Sequence, residues 1–461
     1  MQYPIPQAFD AAHYLAQNPD VYAAGLNTPA AAWQHYINYG AAESLQGATS
    51  RAPAPWFDAV WYLAQNPDLA MAGLSPPDLF IHYLTWGMAE GRSPQPNRLT
   101  IQSDTLTGTD RDEVFHAPIV QVDATHTSTL QLGDRIDGGA GTDTLIADLA
   151  GGTIAPQLTG IEHLQLSAYY PTTVLAAHIQ GLADLTITQS LAPLTIQQLP
   201  DLVDVHLNNL VSVKDPAGQP NHITLGYQPQ ALDGRAVQHL SLDNVWLKPG
   251  GAQLYFNTHG PASLNILDIS VSGVSALGGI AGAPGPGFGG QPSTVLDGLH
   301  TVRVDAQAAV DLGVLAAPHL KLLDASASLA GVAVDLSLVK TASLAIHGGA
   351  GDDAYAISIQ QPIHLSTGGG RDTLVLKGLG TPVLDAPVVL YGQHTSASVD
   401  VALAARHGAS DPLLVYWQDA TGQVCLGLDG DGSQGSSGIQ LLAVIGDLSL
   451  SDIAGGLSLI Y

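Results

Sequence analysis

The chain has a single cysteine in 461 residues, Cys425, which excludes an intrachain disulfide. That residue lies in Val424-Cys-Leu-Gly-Leu428, where the alternation of side chains marks a strand, so the thiol reads as structural. Basic residues are also scarce. There are 14 Lys and Arg against 40 Asp and Glu, a formal charge of −26. Such a surface repels nucleic acid and anionic lipid, and divalent cations are its natural counterions. Glutamate is nearly missing, with Glu43, Glu90, Glu113 and Glu162 set against 36 Asp. Aspartate favours turns and metal loops whereas glutamate favours helix surfaces, so the charge belongs mostly to turns. For most individual aspartates solubility is explanation enough. No apolar run approaches the ~20 residues of a membrane helix. The opening Met1-Gln-Tyr-Pro-Ile-Pro6 has neither a basic region nor an apolar stretch, so no secretory signal peptide is visible. The expectation is a chain that is soluble, or exported by a route that reads another segment.

Catalytic signatures are absent too. Secreted zinc proteases need His-Glu-x-x-His on a helix, and the one Glu-His neighbour, Glu162-His163, sits in a strand pattern without a second histidine. There is no Gly-x-Ser-x-Gly elbow. Five lysines are too few for the Asp, Lys, Arg and Tyr cluster that solenoid polysaccharide lyases and epimerases use. The expectation is a protein that is not an enzyme.

With 46% hydrophobic residues the chain can bury extensive cores in two or three domains. Residues 1–97 carry an internal repeat. Phe9-Asp-Ala-Ala-His-Tyr-Leu-Ala-Gln-Asn-Pro-Asp20 returns as Phe57-Asp-Ala-Val-Trp-Tyr-Leu-Ala-Gln-Asn-Pro-Asp68, a shift of 48. Thr28-Pro29 and Ser75-Pro76 are helix starts, and Gly40 and Gly87 are expected to end the helices. Trp33, Tyr36 and Ile37, and again Phe80, Tyr83 and Leu84, form an apolar stripe at helical spacing. His35 and His82 read as packing or surface residues rather than ligands. The result is a small helical domain for anchoring or binding, rich enough in aromatics to recognise a sugar or a partner. Two near-copies would make it bivalent.

Glycine-rich turns come next. Gly138-Gly-Ala-Gly-Thr-Asp143 can turn its backbone through conformations other residues avoid. Its carbonyls can then face a hard cation while Asp143 supplies a carboxylate. An ordinary tight turn is the competing reading. Gly348-Gly-Ala-Gly-Asp-Asp353 and Thr367-Gly-Gly-Gly-Arg-Asp372 form a second instance. Asp353 and Asp372 stand 19 residues apart, close to the ~18 residues of two nonapeptides in one coil, so the two turns should stack. A Gly-rich hairpin is the alternative there. Gly108 to Asp112 is a degenerate version.

Between about 150 and 345, short alternating strands recur about every 20 residues, as in residues 161–166, 182–187, 202–207, 299–304, 318–323 and 341–346. Each unit pairs a loop with a strand, and a period near 20 without helices reads as a β solenoid. The Gly/Pro-rich stretch 277–292 is expected to protrude as a loop. Residues 381–461 read as further β structure without Lys or Arg after Arg406. Asp429-Gly-Asp-Gly-Ser433 is either a hairpin turn or a cation loop. The acidic, Leu/Ser-rich terminus suits a C-terminal type I secretion signal, or a last strand.

Residues 104–166 carry Leu106-Thr-Gly-Thr with Asp112 and Phe115, then residues 132–145, then Gly160-Ile-Glu-His-Leu-Gln-Leu166. This order resembles the segment that opens the crystalline domain of Caulobacter-type S-layer proteins and related repeats-in-toxin proteins. Residues 324–376 continue the likeness, which covers most of 100–461. The resemblance implies a mainly β fold, a right-handed parallel β-solenoid or β-roll with calcium-binding Gly/Asp turns, behind the helical N-terminal domain. It implies calcium held at Gly139, Gly141, Asp143, Gly349, Gly351, Asp353, Gly370 and Asp372, export through type I machinery, and a homo-oligomeric lattice. The divisions are then 1–97, an opening calcium-turn segment 98–150, the solenoid 151–345, calcium turns 346–380 and a C-terminal β region 381–461. The calcium repeats are fewer than in a full toxin roll, and the N-terminal repeat differs from the Caulobacter anchor.

The function expected is a secreted, calcium-dependent structural protein assembling on the bacterial cell surface as an S-layer, sheet or filament. The alternative is an adhesin or biofilm-matrix protein whose N-terminal module binds a glycan, lipopolysaccharide included, or another partner.

Overall fold

The computed structural model describes residues 4–48, 51–212, 221–232, 237–248, 253–257, 264–283, 295–341, 343–358, 363–377, 388–393, 413–429, 440–445 and 457–460. Its chain divides into two compact units, residues 1–166 with 178–181, and residues 167–177 with 182–461. The fold is mainly β, with parallel sheets and a few N-terminal helices. Among the described residues no helix is long and apolar enough to cross a membrane.

In the first unit the internal repeat folds as two near-copies. Asp10 and Asp58 cap equivalent helices, Ala11–Gln17 and Ala59–Gln65, by accepting the N–H of His13 at 2.8 Å and of Trp61 at 2.9 Å. Thr28 caps Pro29–His35, and Ser75 with Asp78 forms a capping box on Pro76–His82. The stripe residues pack as expected: Trp33, Tyr36, Phe80 and Tyr83 are buried, with Ile37 and Leu84 against them. Phe80 joins the copies, its ring centroid 6.5 Å from Trp33 and 5.1 Å from Phe57.

Gly87 is the last residue of its helical element, as expected, but Gly40 does not end its helix. Each closes a π-helical turn, Tyr36–Gly40 and Tyr83–Gly87, and the first continues directly into the helix Ala41–Leu45. The reason is steric. A Cβ on Gly40 would collide with the Tyr14 hydroxyl, and one on Gly87 with that of Tyr62. The glycines admit a buried tyrosine, and the extra residue of the π turn is the local adjustment.

In the second unit consecutive strands fall alternately into two parallel sheets. One sheet includes Asp184–Thr188, Asp204–Asn208, Val237–Asp243, Ile266–Val271, Thr301–Ala306 and Leu322–Asp324, each hydrogen-bonded to the next. The other includes Thr172–Leu175, Leu194–Leu199, Ile223–Tyr227 and Gln253–Asn257. In the first sheet the expected spacing near 20 holds between the strands starting at Asp184 and Asp204 and between those starting at Thr301 and Leu322, and it widens between Asp204 and Thr301. What reads in the sequence as the loop half of a unit holds a strand of the second sheet. The registers put like residues in ladders: Leu185, Val205, Leu240, Ile269 and Val304 lie side by side, all buried. Such apolar columns specify register, because a one-residue slip would turn every side chain outward.

The stretch 277–292 is not simply a loop. Gly279–Gly282 is a buried strand in which Gly279 lies so close to Val314 that a Cβ would sit 2.6 Å from its carbonyl oxygen. There glycine serves close packing rather than freedom; residues 284–294 lie outside the described residues. The strands Val424–Asp429 and Gln440–Ile445 pair antiparallel, which fits a hairpin, while 430–433 and the segment 446–456 lie outside the described residues. Cys425 is buried in the first of these strands, and burial raises its thiol to about 11.

Candidate metal turns

The turn at 138–143 is held between two others. Asp143 is buried, and its Oδ1 accepts the N–H of Glu113 at 2.7 Å. Its own N–H donates to Glu162 Oε2 at 2.8 Å. Neighbouring turns are thus stapled carboxylate to backbone. Gly141, at φ +129°, adopts a conformation closed to most L-residues, and a Cβ there would strike the Arg111 carbonyl. Gly139 likewise leaves no room beside the Thr109 carbonyl.

The other oxygen of Asp143, Oδ2, is buried and has no hydrogen-bond partner. A Cβ placed on Gly138 would lie 2.5 Å from this Oδ2 and in collision with the Gly160 carbonyl oxygen. Both oxygens lie near one point, and Oδ2 has no donor. Burial raises the Asp143 pKa against the Glu113 N–H bond, and the nearby carboxylates of Glu113, Glu162 and Asp112 push it higher. An unpaired buried acceptor costs free energy that a hydrogen or a cation would recover. The residues fit a hard cation held by Asp143 and turn carbonyls.

The second pair of turns stacks as expected. The Asp353 N–H donates to Asp372 Oδ1 at 2.9 Å, and the Arg371 N–H to Asp352 Oδ1 at 2.8 Å. Gly351 abuts the Ala330–Gly331 backbone, Gly349 the Ser328 carbonyl, and Gly370, at φ +95°, the Gly351 carbonyl. Here the buried aspartate is satisfied. Asp353 accepts Val332 N–H at 2.8 Å on Oδ1, and Gly349 N–H and Tyr355 O–H, each at 2.9 Å, on Oδ2. Burial raises the carboxyl of Asp372 to about 6. Among the described residues no group of three or more His, Cys, Asp or Glu side chains is placed to hold a metal. A glycine turn would draw much of its coordination from carbonyls instead.

Other polar constellations left no clear trace in the sequence. Arg51 donates to Glu43 at 2.6 Å, to Asp20 at 2.7 Å and to Asn18 at 2.7 Å. Arg92 repeats this with Glu90, Asp68 and Asn66 at 2.6, 2.9 and 2.8 Å. Glu43 precedes Arg51 by eight residues and Glu90 precedes Arg92 by two, so alignment by spacing hides the equivalence. In the second unit His239, Asp268, Arg303, Asp324 and His347 occupy one row across five strands. The first four border a groove of about 440 Å³; Arg303 pairs with Asp268 at 3.2 Å, and the His347 ring lies 3.9 Å from Asp324.

In comparison with known proteins, the chain matches no family, no curated protein and no solved structure.

Proposed function

We propose that this protein is a secreted, calcium-dependent structural protein that self-assembles on a bacterial cell surface as an S-layer or a related sheet or filament. In this reading the two alternating sheets are the walls of a right-handed parallel β-solenoid, and the glycine turns are its calcium-binding corners. The observation that carries it is the buried, unpaired Asp143 Oδ2 at a turn of the expected sequence. Asp143 with Gly139 and Gly141 would hold one ion, and Gly349, Gly351, Asp353, Gly370 and Asp372 would border another. Bound there, calcium supplies positive charge without needing a proton donor. On a chain of formal charge −26 it would also lower the repulsion between copies. Export through type I machinery and a surface location follow from the same sequence resemblance.

Electron microscopy and light scattering of the purified chain, in millimolar calcium and then in chelator, test the proposal. Ordered sheets or filaments that dissolve on chelation are expected. A chain equally monomeric in both conditions would overturn it.

A further inference from the structure

Most aromatic residues of the N-terminal repeats are buried or half-buried, while Tyr22, Tyr39 and Trp86 are exposed, and the last two correspond between the copies. Tyr39 is 60% exposed and Trp86 55% exposed, and they occupy equivalent places on the two π-helical turns. Each ring lies beside the histidine four residues earlier. The His35–Tyr39 centroids are 5.6 Å apart at 45°, and the His82–Trp86 centroids are 5.6 Å apart at 48°. The histidines are fixed from behind, since Nδ1 of His35 meets the buried Tyr14 hydroxyl at 2.9 Å and Nδ1 of His82 meets that of Tyr62 at 2.9 Å. Those hydroxyls stand where Gly40 and Gly87 make room for them. The chain thus builds the same tilted pair of rings twice, from a tyrosine in one copy and a tryptophan in the other. Folding alone does not require a large exposed ring at either place, because neither is part of the core.

We propose that these two shelves, His35 with Tyr39 and His82 with Trp86, are a bivalent binding site for an uncharged glycan chain. The inference rests on the surface-located reading above but not on calcium. An exposed aromatic face suits the C–H face of a sugar ring, and an imidazole anchored through Nδ1 leaves Nε2 as the ring's other hydrogen-bonding atom for a hydroxyl. Anchoring keeps the imidazole in one orientation, so little rotamer freedom is lost on binding. Charge selects among sugars. Around His35 stand Arg51, Glu43 and Asp20, and around His82 stand Arg92, Glu90 and Asp68, a net negative set each time. Acidic polysaccharides are therefore disfavoured, on top of the charge of the whole chain. Two equal shelves on one aromatic core match a ligand that repeats along its length, as a polysaccharide does and a single protein epitope does not. Occupying both raises avidity by about 10²–10⁴ over one alone.

The test is binding of the full-length chain, kept in chelator, to an array holding neutral glycans (mannan, dextran, cellohexaose) and acidic ones (alginate, polygalacturonate). Binding to at least one neutral glycan is expected, with a shift in tryptophan fluorescence that Trp86→Ala removes. Tyr39→Ala and Trp86→Ala should each weaken binding to the polymer by tenfold or more, and the double variant should abolish it. Tyr39→Trp should keep it, and unchanged circular dichroism would show that each variant folds. Binding of acidic glycans only, no binding to any neutral glycan, or a folded double variant that binds like the parent would overturn the proposal. Because chelator is present throughout, failure here is separate from failure of calcium-driven assembly.

Discussion

The turns at 138–143 and 348–353 start with the same four residues, Gly-Gly-Ala-Gly, and end on a buried aspartate, yet they leave that aspartate in opposite states. In both, one carboxylate oxygen accepts an N–H from the turn before it, from Glu113 or from Val332. The second oxygen differs. At Asp353 it takes the Gly349 N–H and the Tyr355 hydroxyl. At Asp143 the place of Tyr355 is held by Leu145, which has no donor. The N–H of Gly139, the counterpart of Gly349, donates instead to Asp137 at 3.2 Å, where the second turn has His347. Two substitutions outside the glycine motif thus decide whether the motif has an unmet need for positive charge. The lesson is that a Gly-Gly-x-Gly-x-Asp motif specifies a turn, and its neighbours specify how strongly that turn calls for a cation.

The largest expected effect comes from removing the unmet charge. Calcium at 100–1,000 times its dissociation constant should stabilise the parent by about 3–4 kcal/mol. Asp143→Asn should lose most of that gain while being more stable than the parent in chelator, by ~1–3 kcal/mol, since the amide adds a donor. Denaturant melts of both chains with and without calcium check this. Equal calcium gains in parent and variant would dissolve the contrast between the turns.

Next comes proton linkage at a buried acid whose oxygens are both filled. Asp134 accepts N–H bonds from Asp104 at 2.9 Å and from Gln131 at 2.7 Å, yet burial still raises its pKa to about 6 from 3.8. A raised acid pKa means the folded state holds the proton more tightly. Its contribution is therefore whole below about pH 4 and is lost as pH rises through about 6. In chelator, stability should fall by roughly 3 kcal/mol from this group between those limits, and Asp134→Asn should flatten that slope. A stability profile across pH for both chains measures it.

Tyr355→Phe should make the second turn resemble the first. Losing the hydroxyl should cost ~1–3 kcal/mol in chelator, with part of it returned by calcium. A loss indifferent to calcium would mean the hydroxyl serves packing alone. The smallest effect is expected from Asp137→Ala, which frees the Gly139 N–H to turn toward Asp143. Calcium affinity, read by titration calorimetry, should fall a few-fold, and an unchanged affinity would remove Asp137 from the explanation.

Much of this architecture was legible from local pattern. The capping residues Asp10, Thr28, Asp58 and Ser75 do what their types suggest, because a cap depends only on the next three residues. The stacking of Asp353 on Asp372 followed from their spacing. What escaped notice depends on contacts distant in sequence. Nothing near Gly40 shows that the Tyr14 hydroxyl must pass there, and a glycine late in a helix reads by default as its end. Second-sheet strands such as Ile223–Tyr227 and Gly279–Gly282 are buried along their whole length, so they lack the apolar–polar alternation that marks the first sheet. At the candidate site the motif gave the turns and their aspartates, but the unmet need of Asp143 arises from Leu145 and Asp137, positions that the motif leaves free.

The most direct measurement is a crystal structure of the chain grown in calcium, with the ion located by its anomalous scattering. The account predicts calcium about 2.3–2.6 Å from Asp143 Oδ2. Density absent from that site, with Oδ2 met by a water or a proton donor, would contradict it.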